Sequence, residues 1–185
     1  MIMPFHSNTE LLIDYWREQK GSLRAPARAS INPVDFASLL PQVFILGRVR
    51  PGQYGFRLAG GLVDDLHGGH LGGADPIKLW APAHRASLQL ALEAVCRQPE
   101  PLVIAAEGRA RAGQMIKLEV VVAPLTGPKG YVDRLIGLYQ PTTPTIALMG
   151  QPIESLAIRN ITSAGSAGAS FPRLKLAAMN GRRIA

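Results

Sequence analysis

The sequence predicts an α+β domain in which helices cover an antiparallel sheet, and three observations carry that reading. Between Pro101 and Gln140, strand-like runs at 102–106, 115–122 and 135–139 are separated by Gly-containing turns. In the middle run Ile116, Leu118, Val120 and Val122 alternate with Lys117 and Glu119. Every second side chain of a strand shares a face, so this period marks one buried and one wetted face. The second observation is a hairpin pattern, 43–49 and 54–59, around the turn Arg50-Pro51-Gly52-Gln53. The third is helical spacing near the N-terminus and from about 83 to 97. Links this short join antiparallel neighbours, because a parallel pair needs a long crossover.

Taken in order, Ser7-Asn8-Thr9-Glu10 reads as a capping box at the start of the first helix. Leu11 with Tyr15 and Leu12 with Trp16 stand four residues apart on that helix, and Gly21 suits its end. An extended basic linker, SLRAPARASINP, follows. Asn32-Pro33 is a cap-plus-Pro signal for a short helix that stops before Pro41, and Asp75-Pro76 repeats the signal. Between them lie the hairpin, a short helical piece at 62–66 and the Gly-rich connector HGGHLGGAD. The longest helix puts His84, Leu88, Ala91 and Val95 on one stripe, and Pro99 and Pro101 close it. Beyond Pro141 the pattern degrades into weak helical stretches and small residues. Residues 8–141 therefore read as one domain and 142–185 as a basic, flexible tail.

The bulk composition narrows the class. Hydrophobic residues make up 47% and charged ones 18% of 185 residues, which suits a globular domain with a real core. The net charge of +7 includes +4 from Thr142 onward, so the body is only mildly basic and demands no nucleic-acid partner. A single cysteine, Cys96, rules out an internal disulfide and suits a reducing compartment. With no signal-peptide pattern at the start and no run long enough to span a bilayer, the expectation is a cytoplasmic protein without membrane insertion.

The order β-β, short helices, longer helix, β-β-β is that of a PAS domain. The segments LIDYWREQKGSLRAPAR, LLPQVFILGRV, FRLAG, HGG with the following Trp80, VVVAPL and LIGLYQP resemble the short single-domain PAS proteins known mainly from alphaproteobacteria. The resemblance covers about 8–141. It implies a PAS fold: a five-stranded antiparallel sheet in the order 2-1-5-4-3, helices on one face around a small cleft, and an N-terminal capping helix. It also implies a regulatory function, signal input or protein contact, with some relatives acting in cell-cycle or motility control.

No reactive constellation competes with this. His67 and His70 lack a nearby cysteine and read as loop residues, with Asp64, Asp65 and Asp75 as helix ends, so no metal is expected. Cys96 lies at a helix C-terminus, where the dipole disfavours a thiolate. The glycines at 60, 61, 68, 69, 72 and 73 lack the ending of a phosphate loop. The chain is thus expected to be a non-enzymatic sensory module that meets a regulatory protein in trans, possible as a homodimer, with no required cofactor. The alternative is a receptor for a small apolar ligand, or for haem through His84. Strand parity and the helix stripe nominate Phe44, Phe56, Leu58, Trp80, His84, Leu88, Ile104, Ile116, Leu118 and Val120 as cleft residues. Leu11, Leu12, Tyr15 and Trp16 are too large an apolar set to leave in water. They are expected to pack on sheet surface, in their own subunit or a dimer mate's.

Overall fold

A computed structural model describes residues 5–164 of the chain. Six antiparallel strands form one sheet in the order β2-β1-β5-β4-β3-β6. They are β1 (Val43–Arg50), β2 (Gln53–Ala59), β3 (Leu102–Ala110), β4 (Met115–Thr126), β5 (Val132–Pro141) and β6 (Ile153–Ser163). The first five follow the expected order; the sixth is an addition at the β3 edge, drawn from the stretch read as a flexible tail. The described residues also form three α-helices, α1 (Ser7–Lys20), α2 (Gly61–Leu66) and α3 (Pro82–Arg97), besides short 3-10 turns. The part of that tail from 165 to 185 falls outside the described residues.

Both faces of the sheet are covered. Even-numbered residues of β4, Ile116, Leu118, Val120 and Val122, join a core closed by α2, α3 and the short turn of helix Pro76–Leu79. Odd-numbered Val121, Ala123 and Leu125 join a second core beneath α1. The helices therefore do not all lie on one face. The reason is in β4 itself, where the alternation gives way to VVVAPL and leaves apolar groups pointing both ways.

The second core seats α1 on its own subunit. Leu12, Tyr15 and Trp16 are buried there, while Leu11 stays 42% exposed and is not part of the contact. Trp16 Nε1 donates to the Pro124 carbonyl (2.7 Å), which satisfies the one polar atom of a buried ring. Tyr15 packs edge-on to Phe36, and its hydroxyl accepts from the Asn32 amide (2.8 Å). The helix begins differently from the expected capping box: His6 is the N-cap and its Nδ1 accepts from Asn8 N. The His6 amide in turn donates to the Glu119 carboxylate, at 3.1 and 3.2 Å. The linker is held to the sheet as well, since Thr126 N donates to Pro26 O (2.9 Å).

Asn32 and Asp75 cap as expected, accepting from Val34 N and Ile77 N, although both segments are 3-10 helices. The first, Pro33–Gln42, is broken by a kink at Phe36 (φ −132°), and its second part includes Pro41 instead of stopping before it. None of the described helices is long and apolar enough to cross a membrane.

Candidate functional site

The cleft between α3 and the sheet is closed by the protein's own side chains. What remains is a cavity of about 20 Å3, the space of a single water molecule and too apolar to hold one well. Six nominated residues line it: Phe44, Phe56, Trp80, Leu88, Ile104 and Val120. Leu46, Pro76, Leu92, Val122 and Tyr139 complete the wall. Phe44 stands at the centre, edge-on to Phe56 (5.9 Å) and to Tyr139 (5.4 Å).

Four nominated residues are placed elsewhere. Ile116 and Leu118 are buried in the same core, farther along β4 and away from the cavity. His84 is half-buried near the start of α3 and does not reach it. Leu58 is 47% exposed, on the opposite face from Phe56. A β-bulge explains this: Leu46 pairs with Phe56 but Ile45 pairs with Leu58, leaving Arg57 as the extra residue that reverses the parity. Tyr139 could have been found from parity, because it stands four positions after Leu135 on the same face of β5 and joins the same core.

Gly137 lets Phe44 lie where it does. The two residues are paired across β1 and β5, and a Cβ at Gly137 would collide with the Cζ end of the Phe44 ring. Gly137→Ala is therefore expected to drive Phe44 out of its packing and cost about 1–3 kcal/mol, the usual price of overpacking. A wild-type denaturation midpoint for this variant would contradict that account.

Sequence reasoning missed a polar cluster at the other end of α3. Glu93 Oε2 accepts from Arg48 (2.7 Å), and Glu93 Oε1 accepts from the Gly52 amide (2.9 Å) and from the Tyr54 hydroxyl. Burial opposes the charge on Glu93, yet the bonds from Tyr54, Gly52 and Arg48 prevail and hold its carboxyl below the usual range. Cys96 lies beside the cluster, its Sγ 3.7 Å from the Tyr54 hydroxyl, and burial pushes its thiol up. That environment favours the thiol over the thiolate.

The two loop histidines do not converge. His70 Nδ1 lies 3.1 Å from Asp64 Oδ2 at the surface, while the Leu71 amide donates to Asp64 Oδ1 (3.0 Å). His67 turns inward against the Tyr139 ring (5.6 Å), and its Nε2 has no hydrogen-bond partner among the described residues. Among those residues no group of three His, Cys, Asp or Glu side chains could hold a metal.

Burial lowers the His67 pKa to about 4. Below its unfolded value of about 6.5, the unfolded chain takes up a proton that the folded chain refuses. His67 thus leaves stability intact above that value and erodes it as pH falls toward 4, by at most about 1.4 kcal/mol per pH unit. Replacing His67 with Phe should flatten the denaturation midpoint across that window. An unchanged slope would show that other groups set it.

A family model described as "PAS domain" matches residues 4–140. Among solved structures, a light-oxygen-voltage protein of Rhodobacter sphaeroides is similar at 11% identity and TM-score 0.47, over 62% of this chain and 70% of that one. A light-oxygen-voltage domain studied with a flavin analogue is similar at 14% identity and TM-score 0.49, over 65% and 93%. The dark structure of the aureochrome 1 light-oxygen-voltage domain is similar at 13% identity and TM-score 0.46, over 80% and 92%. No curated protein matches the chain. The match over 4–140 spans most of the sequence, and the strand order β2-β1-β5-β4-β3 lies within it: the chain belongs to the PAS domain family.

Proposed function

We propose that this PAS domain is a non-enzymatic regulatory module that acts in trans through protein contact, with its surface rather than its cleft as the working part. The observation that carries the reading is the filled cleft. A site for a drug-sized ligand occupies about 300–1,000 Å3, against a cavity of about 20 Å3 here. Phe44, Trp80 and Tyr139, all buried, wall that cavity, which is far smaller than a flavin or haem. The same packing works against the alternative of an apolar-ligand receptor, which would need those rings to move. His84, the nominated haem ligand, does not face the cavity. Cell-cycle or motility control is the setting that the sequence resemblance implies.

The purified protein is expected to be colourless. A retained flavin or haem band in its visible spectrum would overturn the filled-cleft reading. Affinity capture from native lysates under several growth conditions tests the second half. Failure to retain any specific regulatory protein would remove the action in trans.

A further inference from the structure

The helical layer on the α1 side of the sheet stops short of the β1–β2 edge. α1 lies over Val121, Ala123 and Leu125 of β4, and the 3-10 helix Pro33–Gln42 brings Phe36 and Leu39 into the same core as Val43 and Leu138. Farther along β1 and on β2 that face is open among the described residues, with Ile45 half-buried and Leu58 47% exposed. Two paired strands are about 10 Å across, and a helix with its side chains is about 10–12 Å thick. The uncovered bay is therefore one helix wide.

The bulge in β2 sets the chemistry of the bay. It turns Leu58 onto this face, opposite Ile45. Arg57, the extra residue, lies flat along Gly47, where a Cβ would stand 2.5 Å from Arg57 Nε and 3.0 Å from its Cγ. Gly47 pairs with Arg134 of β5, so Arg134 shares the face. Arg134 Nη1 donates to the Asp133 carbonyl (2.8 Å), and Asp133 Oδ2 stands at 3.7 Å. Arg57 makes no ion pair or hydrogen bond among the described residues. Neither β1 nor β2 contains an acid that could supply one. At the outer edge of β2 the Phe56 backbone is already bonded to Ala74 O (3.0 Å) and Gly73 N (2.9 Å), which blocks strand addition there. A partner must come onto the face.

We propose that the bay seats an acidic amphipathic helix of a partner protein, its apolar side on Ile45 and Leu58 and its carboxylates on Arg57 and Arg134. The assignment rests on the reading of this module as one that acts in trans, and it names the surface and the partner class. Charge decides the class. A guanidinium with no acid beside it gains most from a carboxylate, which it meets with two parallel N–H donors. A basic helix would set like charges against it, and a neutral one would cover it unpaired. The net charge of +7 draws acidic partners at long range as well. Nucleic acid fits less well, because Ile45, Gly47, Arg57, Leu58 and Arg134 include no ring on which a base could stack.

The test places a photo-crosslinking benzoylphenylalanine at Leu58 of the full chain, where exposure lets the fold tolerate it, and irradiates it in native lysate. The expected adduct maps to a partner segment of net negative charge with apolar residues three and four apart. Arg57→Glu in the same chain should cut its yield roughly tenfold or more, with the melting temperature unchanged, and Arg57→Gln should cut it less. Arg111→Glu, the same charge change on the exposed β3–β4 turn, should leave the yield as it was. An adduct joining two copies of this chain, one removed by nuclease, or one mapping to a basic or uncharged segment would overturn the proposal. So would a yield indifferent to Arg57→Glu, or no adduct at all. Should wild-type affinity capture still retain a regulatory protein in that last case, the bay alone would be wrong and the action in trans would stand.

Discussion

Replacing Trp16 with alanine is expected to cost about 3–5 kcal/mol, the range for truncating a buried aromatic. The ring is 3% exposed, and its loss empties a space bounded by α1 and the sheet, in the core that contains Val121, Ala123 and Leu125. It also leaves the Pro124 carbonyl without the indole donor. For a chain of this size the melting temperature should fall by roughly 10 °C, at about 2–4 °C per kcal/mol. Leu11→Ala, on the exposed side of the same helix, is the control and should stay within about 0.5 kcal/mol of wild type. If W16A melted like wild type, α1 would be an appendage rather than part of the folded unit.

Glu93→Ala is expected to have a comparable effect for a different reason. One carboxylate gathers a guanidinium, a tyrosine hydroxyl and a turn amide. Removing it strands Arg48, whose side chain is 23% exposed, without its counter-charge. Breaking a buried pair from one side costs about 3–5 kcal/mol; the partial exposure of Arg48 places this variant at the lower end. Glu93→Gln keeps an acceptor for Tyr54 and Gly52, so it should lose only about 1–2 kcal/mol. Urea midpoints measure both, and equal losses would mean that charge, not hydrogen bonding, holds the cluster. The pH dependence has a definite sign. Because the folded carboxyl titrates below its ordinary range, the Glu93 contribution is present above the unfolded value, near 4.5, and fades as pH falls through the folded one. Glu93→Ala should abolish that part of the acid sensitivity.

The sheet was legible wherever strand period and burial agreed. β4 reads correctly from its alternation, and β1 and β2 from the turn between them. Legibility failed where a bulge shifted the period. In β6 the apolar residues are Ile153, Leu156, Ile158 and Ile161, at spacings of three, two and three, which look helical. The register against β3 slips twice, near Arg159 and near Glu154, and each slip moves the next apolar residue onto the inner face. The bulge at Arg57 misplaced Leu58 in the same way. The Glu93 cluster was invisible for another reason. Arg48, Tyr54 and Glu93 are separated in sequence and meet only because α3 crosses the hairpin end, and no local spacing encodes such a meeting. The inward turn of His67 depends likewise on Tyr139, seventy-two positions away.

The addition of β6 makes the cooperative folding unit larger than the recognised domain. The family match stops at residue 140, but β3 is bonded to β6 along its whole length, Leu102 to Ala110. A chain cut at Pro141 would keep every recognised element and bare the nine-residue edge of β3, apolar from Leu102 to Ala106. An edge that long and that hydrophobic recruits strands from other molecules. Such a fragment should aggregate on expression, whereas one ending at Ala164 should remain monodisperse under light scattering.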